Sequence, residues 1–428
     1  MKVNHSLNRI VSGCGPILAG AAESSGRSYQ KALHASFSEL HWIRAKFEGP
    51  VFVCAVPTHD QKILELITTD DERISSKRIF QQRLRCFGRE TCRHYNNFPA
   101  PFTLMTMATP TTTTPANREP GARVKPDLHV SFAGITFKNP VIAAAGTFGY
   151  GVEFEDIVTL EKLGGFVSKG LSREPMVGNP PPRLFETAAG MLNSIGLQNI
   201  GARAFIEEKM PKLAPRKNVV VIANVFGYTR EEYVETIHIL NQAEGIAAYE
   251  LNVSCPNTHD GGMVFGTNRT MLEELVATCK SASQRPLIVK LTPNVTSIPA
   301  MAKAAENAGA DAISLVNTFL GMAIDAKTRK PRISNLTAGL SGPAIKPIAL
   351  RMVYEAAHTV EIPVIGMGGI STAEDVVEFM LAGAAAVEVG TANFWDPCAT
   401  EKIVDGLQRW CAENRVSKVT DLIGALET

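Results

Sequence analysis

From residue 141 onward, eight short apolar stretches recur, separated by segments of helical periodicity. They are VIAAAG from 141, GFVSKG from 165, VVVIANVFG from 219, YELNVSC from 249, LIVKLTP from 287, AISLVNT from 312, PVIGMGG from 363 and AVEVGT from 386. Each is short and almost continuously apolar, the pattern of a parallel strand buried on both faces. The intervening REEYVETIHILNQA, IPAMAKAAENAGA and TAEDVVEFMLAGA place apolar residues at helical spacing. In the last, Ser371 and Glu374 have capping-box spacing, and Gly383 can close the helix in the left-handed conformation. Eight such units predict an α/β fold of the (β/α)8 TIM-barrel type, with an open doubly wound sheet as the alternative. Just before them, LHVSFAGITFKNP predicts a short N-terminal hairpin turning at Ala133-Gly134.

In a barrel, active sites gather at the C-terminal ends of the strands. Polar or glycine-rich signals fall there repeatedly: Lys169 after the second strand, Asn224 in the third, Asn252 and Cys255 after the fourth, Lys290 at the fifth and Asn317-Thr318 after the sixth. Gly368-Gly369 and Gly390-Thr391 follow the seventh and eighth, where short glycine loops let backbone N–H groups approach a phosphate. No G-x-G-x-x-G opens the first unit, so a Rossmann nicotinamide site is not supported. Lys169 and Lys290 at inward strand ends need a compensating anion. No strand-end carboxylate offers itself except Glu250, read as pointing along its strand, so an anionic reduced flavin is the expected partner. Asn193, Asn224, Asn252 and Asn317 each carry donors and acceptors, a set suited to a planar ligand with several carbonyls such as a pyrimidine. The long connection REPMVGNPPPRLFETAAGMLNSIGLQN reads as an ordered binding loop with Asn193 as its polar tip.

Composition narrows the function classes. With 45% apolar and 20% charged residues and a net charge of +1, the chain has no global pull toward nucleic acid or anionic membrane. The eight cysteines form no C-x-x-C pair, against a zinc ribbon or an iron–sulfur cluster and for a reduced, cytoplasmic protein. No apolar run reaches the roughly 18 residues of a membrane span. IVSGCGPILAGAA, near Lys2 and Arg9, has some features of an export signal, but polar residues, glycine and proline interrupt it. Residues 1–125 lack the strand and helix alternation and are expected to be a poorly structured extension and linker, ahead of a catalytic domain at 126–428. Its basic run ERISSKRIFQQRLRCFGRETCRHYNNF could serve as a binding arm. The Thr/Pro-rich MTMATPTTTTPANREPGARVKPD contains Met105 and Met107, either of which could start the functional protein.

KNPVIAAAGTFGYG, GNPPPRLFETAAGMLNSIGLQNIG, ELNVSCPNTHDGG, VKLTPNV, SLVNTFLGM, GLSGPAIKPIALRMV, IGMGGISTAEDVVEFMLAGA and VGTANF together resemble the catalytic subunit of class 1B dihydroorotate dehydrogenase. The likeness covers about residues 128–415. It implies an FMN-containing β/α barrel that oxidises dihydroorotate to orotate in pyrimidine synthesis. By resemblance, Cys255 is the catalytic base. Ala145, Lys169, Gly170, Asn224, Asn252, Lys290, Val316, Gly342, Gly368, Gly369, Gly390 and Thr391 match cofactor-contacting positions. AAAG stands where the family often has Ala-Ser-Gly, so Ala145 offers only its backbone. Lys169, Asn193, Ser194, Ile195, Gly196, Leu197, Asn252, Asn317 and Thr318 match substrate-contacting positions, and Asn257 joins them. Class 2 enzymes use serine where Cys255 stands, and SIGLQN resembles class 1B more than the fumarate-using class 1A.

The resemblance further implies a homodimeric core paired with a subunit that carries FAD and a 2Fe-2S cluster and reduces NAD, a heterotetramer. Two enzymatic alternatives are a flavin barrel like the pyrimidine-reducing domain of dihydropyrimidine dehydrogenase, and a lyase using Lys169 or Lys290 as a Schiff base. A non-catalytic binding protein acting through the basic arm is the third, and it leaves the strand-end constellation without a purpose.

Overall fold

The computed structural model describes residues 51–57, 62–68, 125–216, 218–253 and 264–427. The chain divides into two compact units, Met1–Thr114 and Pro115–Thr428. In the first, strands Val51–Pro57 and Lys62–Thr68 pair antiparallel, a pairing the sequence reading did not assign. The basic run at 72–98 and the Thr/Pro-rich segment up to residue 124 lie outside the described residues.

The second unit is a closed barrel of eight parallel strands. They are β1 (Val141–Ala143), β2 (Gly165–Val167), β3 (Val221–Val225), β4 (Ile246–Asn252), β5 (Leu287–Lys290), β6 (Ala312–Leu315), β7 (Val364–Met367) and β8 (Ala386–Val389). All eight stretches read from the sequence become these strands, and closure through Val387↔Val141 excludes the open sheet. Strands β5 to β8 are buried along their whole length, which explains why their sequences do not alternate.

The major outer helices are α1 (Arg230–Asn241), α2 (Arg269–Ala282), α3 (Ile298–Asn307), α4 (Lys346–Ala357), α5 (Ala373–Leu381) and α6 (Ala399–Glu413). Local chemistry starts them where the chain leaves a strand. Thr229, Asn268 and Ser297 accept from the backbone N–H three residues on, at 3.3, 3.1 and 3.3 Å. At α5 the capping box is made by Thr372 and Asp375, one residue beyond the expected Ser371 and Glu374. Asp375 wins because its carboxylate also receives the Ser371 and Thr372 N–H groups and the Lys346 ammonium. Gly383 ends that helix at φ +108°, as its sequence position implies.

Before β1, strands Val130–Phe132 and Ile135–Phe137 form the expected hairpin, with Ala133 and Gly134 at φ 50° and 73°. Phe132 and Phe137 stack at 4.5 Å, and Asp127 bonds to Ser417 and Val419, tying the start of the barrel domain to its end.

The long connection after β2 differs from the expected loop. It forms strands Leu184–Thr187 and Gly190–Asn193, which join Phe319–Gly321 and Ala338–Ser341 from the β6–β7 connection in a four-stranded antiparallel sheet. Asn193 is therefore a strand residue paired with Gly339, held in register by a neighbour far away in sequence.

Candidate active site

Beneath the C-terminal mouth of the barrel lies a buried ionic cluster. Lys290 at the end of β5 sits 3.3 Å from Glu250 Oε1 of β4 and 3.3 Å from Glu388 Oε2 of β8. Glu250 also accepts from Asn224 Nδ2 at 2.6 Å and Ser314 Oγ at 2.8 Å. Inward pointing at alternate strand positions brings these side chains together. Two sequence expectations are corrected here: Glu250 points into the barrel rather than along its strand, and Lys290 already has carboxylate partners without an anionic flavin. Burial opposes charge on Lys290, but Glu250 and Glu388 outweigh it and hold the ammonium above its ordinary range. Burial likewise opposes ionisation of Glu250, yet Lys290 and the surrounding donors hold its carboxyl below the usual range.

Above this floor opens a cavity lined from every barrel strand or the turn after it. Ala145, Lys169, Gly170, Asn224, Asn252, Lys290, Val316, Gly342, Gly368, Gly369, Gly390 and Thr391 all line it. So do Asn193, Ile195, Gly196, Leu197, Asn317 and Thr318. Ser194 does not: it is fully buried beside the cavity, its hydroxyl has no partner among the described residues, and its carbonyl accepts from Asn179 Nδ2 at 3.0 Å. Cys255 and Asn257 lie outside the described residues, in the segment 254–263 that follows β4.

Two features of the wall point to a polar heterocyclic ligand. Asn224 must aim Nδ2 at Glu250, because a carboxylate only accepts, and this leaves Oδ1 as a buried acceptor with no donor among the described residues. A Cβ on Gly170 would stand 3.0 Å from that oxygen, so glycine keeps the approach open. The second feature is Lys169, whose ammonium has no hydrogen-bond or ion-pair partner among the described residues. Burial first, then the nearby Arg183, pushes its pKa down against the pull of Glu153. A half-buried, unpaired cation is costly and is suited to an anionic ligand.

The far end of the cavity is backbone-rich. Gly369 at φ +77° has room for no side chain: a Cβ would meet Lys346 Cβ at 2.7 Å and Gly342 O at 2.9 Å. At Gly390 such a Cβ would make only ordinary van der Waals contact, with Ala144 Cβ at 3.6 Å and Thr147 Cγ2 at 3.7 Å. Thr391 Oγ1 donates to Ser341 Oγ at 2.9 Å, joining this turn to the cap sheet.

The rim is built of amides. Asn317 Nδ2 donates to Asn252 Oδ1 at 3.2 Å, and its Oδ1 accepts from the Thr318 N–H at 2.8 Å. Asn294 Nδ2 holds the Thr318 carbonyl at 3.0 Å, and Asn193 Nδ2 reaches Gly339 O at 3.4 Å. Sequence reasoning missed Glu388, Ser314, Met191, Ser341, Phe394 and Trp395. Glu388 and Ser314 could have been found as lone polar residues inside apolar strands. The cap-sheet residues carried no periodic signal.

Comparison with known proteins agrees with this geometry. The profile of the family described as dihydroorotate dehydrogenase matches residues 127–410. A protein of Solibacter usitatus named putative dihydroorotate dehydrogenase A (fumarate) is 59% identical over 302 residues, 71% of this chain and 99% of that protein. Proteins of Pelobacter propionicus and Trichlorobacter lovleyi, both named dihydroorotate dehydrogenase B (NAD(+)), catalytic subunit, are 56% and 54% identical over 304 residues, 71% of this chain and 100% of each. With a closed barrel, a cavity at the mouth of its strands and relatives matched over nearly their whole length, the chain belongs to the dihydroorotate dehydrogenase family, alongside the catalytic subunits of its NAD-linked class 1B.

Proposed function

We propose that this chain oxidises (S)-dihydroorotate to orotate in de novo pyrimidine synthesis, using FMN bound in the barrel mouth and passing electrons to NAD through a partner subunit. The observation that carries the reading is the unpaired Lys169 beside the unfilled acceptor Asn224 Oδ1 in one glycine-edged cavity. The residues present fit FMN. Gly368, Gly369, Gly390 and Thr391 line the end suited to a phosphate, and Asn224, Lys290 and Val316 line the part suited to a planar ring. When bound, FMN supplies the acceptor for the hydride leaving the substrate.

The chain's own residues supply the rest. Cys255, as thiolate, takes the proton from the ring carbon next to the carbonyl, the more acidic of the two carbons oxidised. A free thiol has a pKa of about 8.5, so the base needs local stabilisation of its anion near neutrality. Lys169 offers its ammonium to the anionic substrate, and Asn193, Asn252, Asn317 and Thr318 orient the ring through amide and hydroxyl hydrogen bonds. Lys290, held protonated by Glu250 and Glu388, places a fixed positive charge at the foot of the cavity and is unsuited to act as a Schiff-base amine.

A Cys255→Ala variant is expected to keep its yellow colour and lose turnover by about 10²–10⁴-fold. Turnover at the wild-type rate would sink the base assignment. A purified protein that takes up no FMN after reconstitution would favour the lyase instead. Co-purification of an FAD and iron–sulfur chain with NAD reduction supports the class 1B reading. Because the Solibacter relative carries a fumarate-class name, fumarate is the acceptor to compare with NAD.

We assign catalysis to residues 126–428 and treat residues 1–125 as an extension or a start-site artefact. The curated relatives align over 99–100% of their own length while covering 71% of this chain, which supports that division. Mass spectrometry of the native N-terminus tests it, and recovery of peptides upstream of Met105 would defeat the start-site reading. Among the described residues no helix is long and apolar enough to cross a membrane.

A further inference from the structure

Three buried ionisable side chains, Glu250, Lys290 and Glu388, meet at the foot of the cavity, and their charges do not balance. Two carboxylates against one ammonium would leave a net negative charge where ionised groups are heavily penalised. Hydrogen bonding tells the carboxyls apart. Glu250 is fully inaccessible, and donors reach both its oxygens: Asn224 Nδ2 and Lys290 Nζ at Oε1, Ser314 Oγ at Oε2. Glu388, 1% exposed, receives Lys290 at Oε2, and no donor among the described residues reaches its Oε1. A carboxyl oxygen that no donor reaches is the cheapest place for a proton.

We infer that Glu250 and Glu388 share one proton, carried by Glu388, so that the floor is neutral as a whole and Lys290 keeps its positive charge directed at the cavity. The same environment pushes the Glu388 carboxyl well above the carboxylate range, through burial first and the neighbouring Glu250 charge second. Glu388 is thus a positioning residue that acts through Lys290. With both carboxyls ionised, the floor would carry a net negative charge and oppose electron uptake by any acceptor above it. This consequence for electron uptake rests on the flavin reading; the shared proton does not.

Infrared difference spectra of the full chain at neutral pH, taken with and without flavin, test the assignment through the protonated-carboxyl stretch. Wild type is expected to show a band that shifts in D₂O. The band is expected to vanish in Glu388→Gln and also in Glu250→Gln, because the carboxyl that remains ionises as the sole counter-ion of Lys290. A wild type without the band, or a band surviving in either variant, overturns the proposal. If Glu388→Gln does not fold, Glu250→Gln and the wild-type band still decide. In flavin-loaded protein, Glu388→Gln exchanges neutral for neutral and leaves the flavin midpoint potential where it was, whereas loss of an anion would raise it. A raised potential therefore also overturns the inference. Should no flavin bind, the spectra of the flavin-free protein still decide the shared proton, separately from the function proposed above.

Discussion

Lys290 on the floor and Lys169 on the wall line the same cavity under opposite conditions. Lys290 is buried between two carboxyls, and its environment holds the proton on. Lys169 is half-buried and has no ion-pair partner among the described residues, and burial and Arg183 loosen its proton against the weaker pull of Glu153. Sequence position alone made them look alike. Their neighbours separate a charge neutralised within the fold from a charge left for something that binds.

Removing Lys290 should break this contrast most strongly. Lys290→Met strands Glu250 without its counter-ion and is expected to cost about 3–5 kcal/mol of stability, read by denaturant unfolding. Adding Glu250→Gln should recover much of the loss, because the charge and its partner then disappear together. If Lys290→Met unfolds at the wild-type midpoint, the floor is not an ionic cluster.

Lys169→Met gives the opposite expectation. Stability should stay level or rise, while affinity for orotate falls by about 1.5–3 kcal/mol, on the order of ten- to a hundred-fold, measured by titration calorimetry. The depressed pKa adds a signature. The unfolded chain keeps this proton up to 10.5 while the folded chain releases it earlier, so wild type gains stability as pH rises between the two values. The Met variant loses that gain. Destabilisation as large as that of Lys290→Met would erase the difference between floor and wall.

The smallest effect is expected outside the cavity, at the Asp375 cap of α5. Asp375→Asn should cost about 1 kcal/mol near neutrality. Burial raises the Asp375 pKa, but Lys346 and the Ser371 and Thr372 N–H groups outweigh it and leave the pKa below 3.8. Its contribution is therefore fully present above 3.8 and is lost as pH falls through the folded value, which unfolding curves of wild type and variant across that window would reveal.

The barrel was legible because eight strands buried on both faces leave apolar runs, and the helices α1, α2, α3 and α5 begin at recognisable side-chain caps. The cavity wall was legible because each polar residue there terminates an apolar strand. What escaped had physical reasons. Glu388 lies within a strand, and its role depends on β8 reaching Lys290 across the barrel, 98 residues away in sequence. The cap sheet alternates exposed and half-buried residues at Leu184–Thr187, so neither a core stripe nor a turn signal marked it. Ser194 matches its neighbours in sequence but is buried just past the end of the strand Gly190–Asn193, while Asn193 and Ile195 line the cavity.

The roof of the cavity has a consequence for the order in which the molecule is assembled. Its central pairing joins Asn193 to Gly339 and Met191 to Ser341, contacts closed across 146 and 150 residues. Loop-closure entropy must be overcome before such contacts return anything, so the two halves of the roof meet only once β3 to β6 stand between them. A ligand seated beneath that roof would draw its stabilising effect from the segments that join last, and protease protection of residues 184–193 and 319–341 would report its binding.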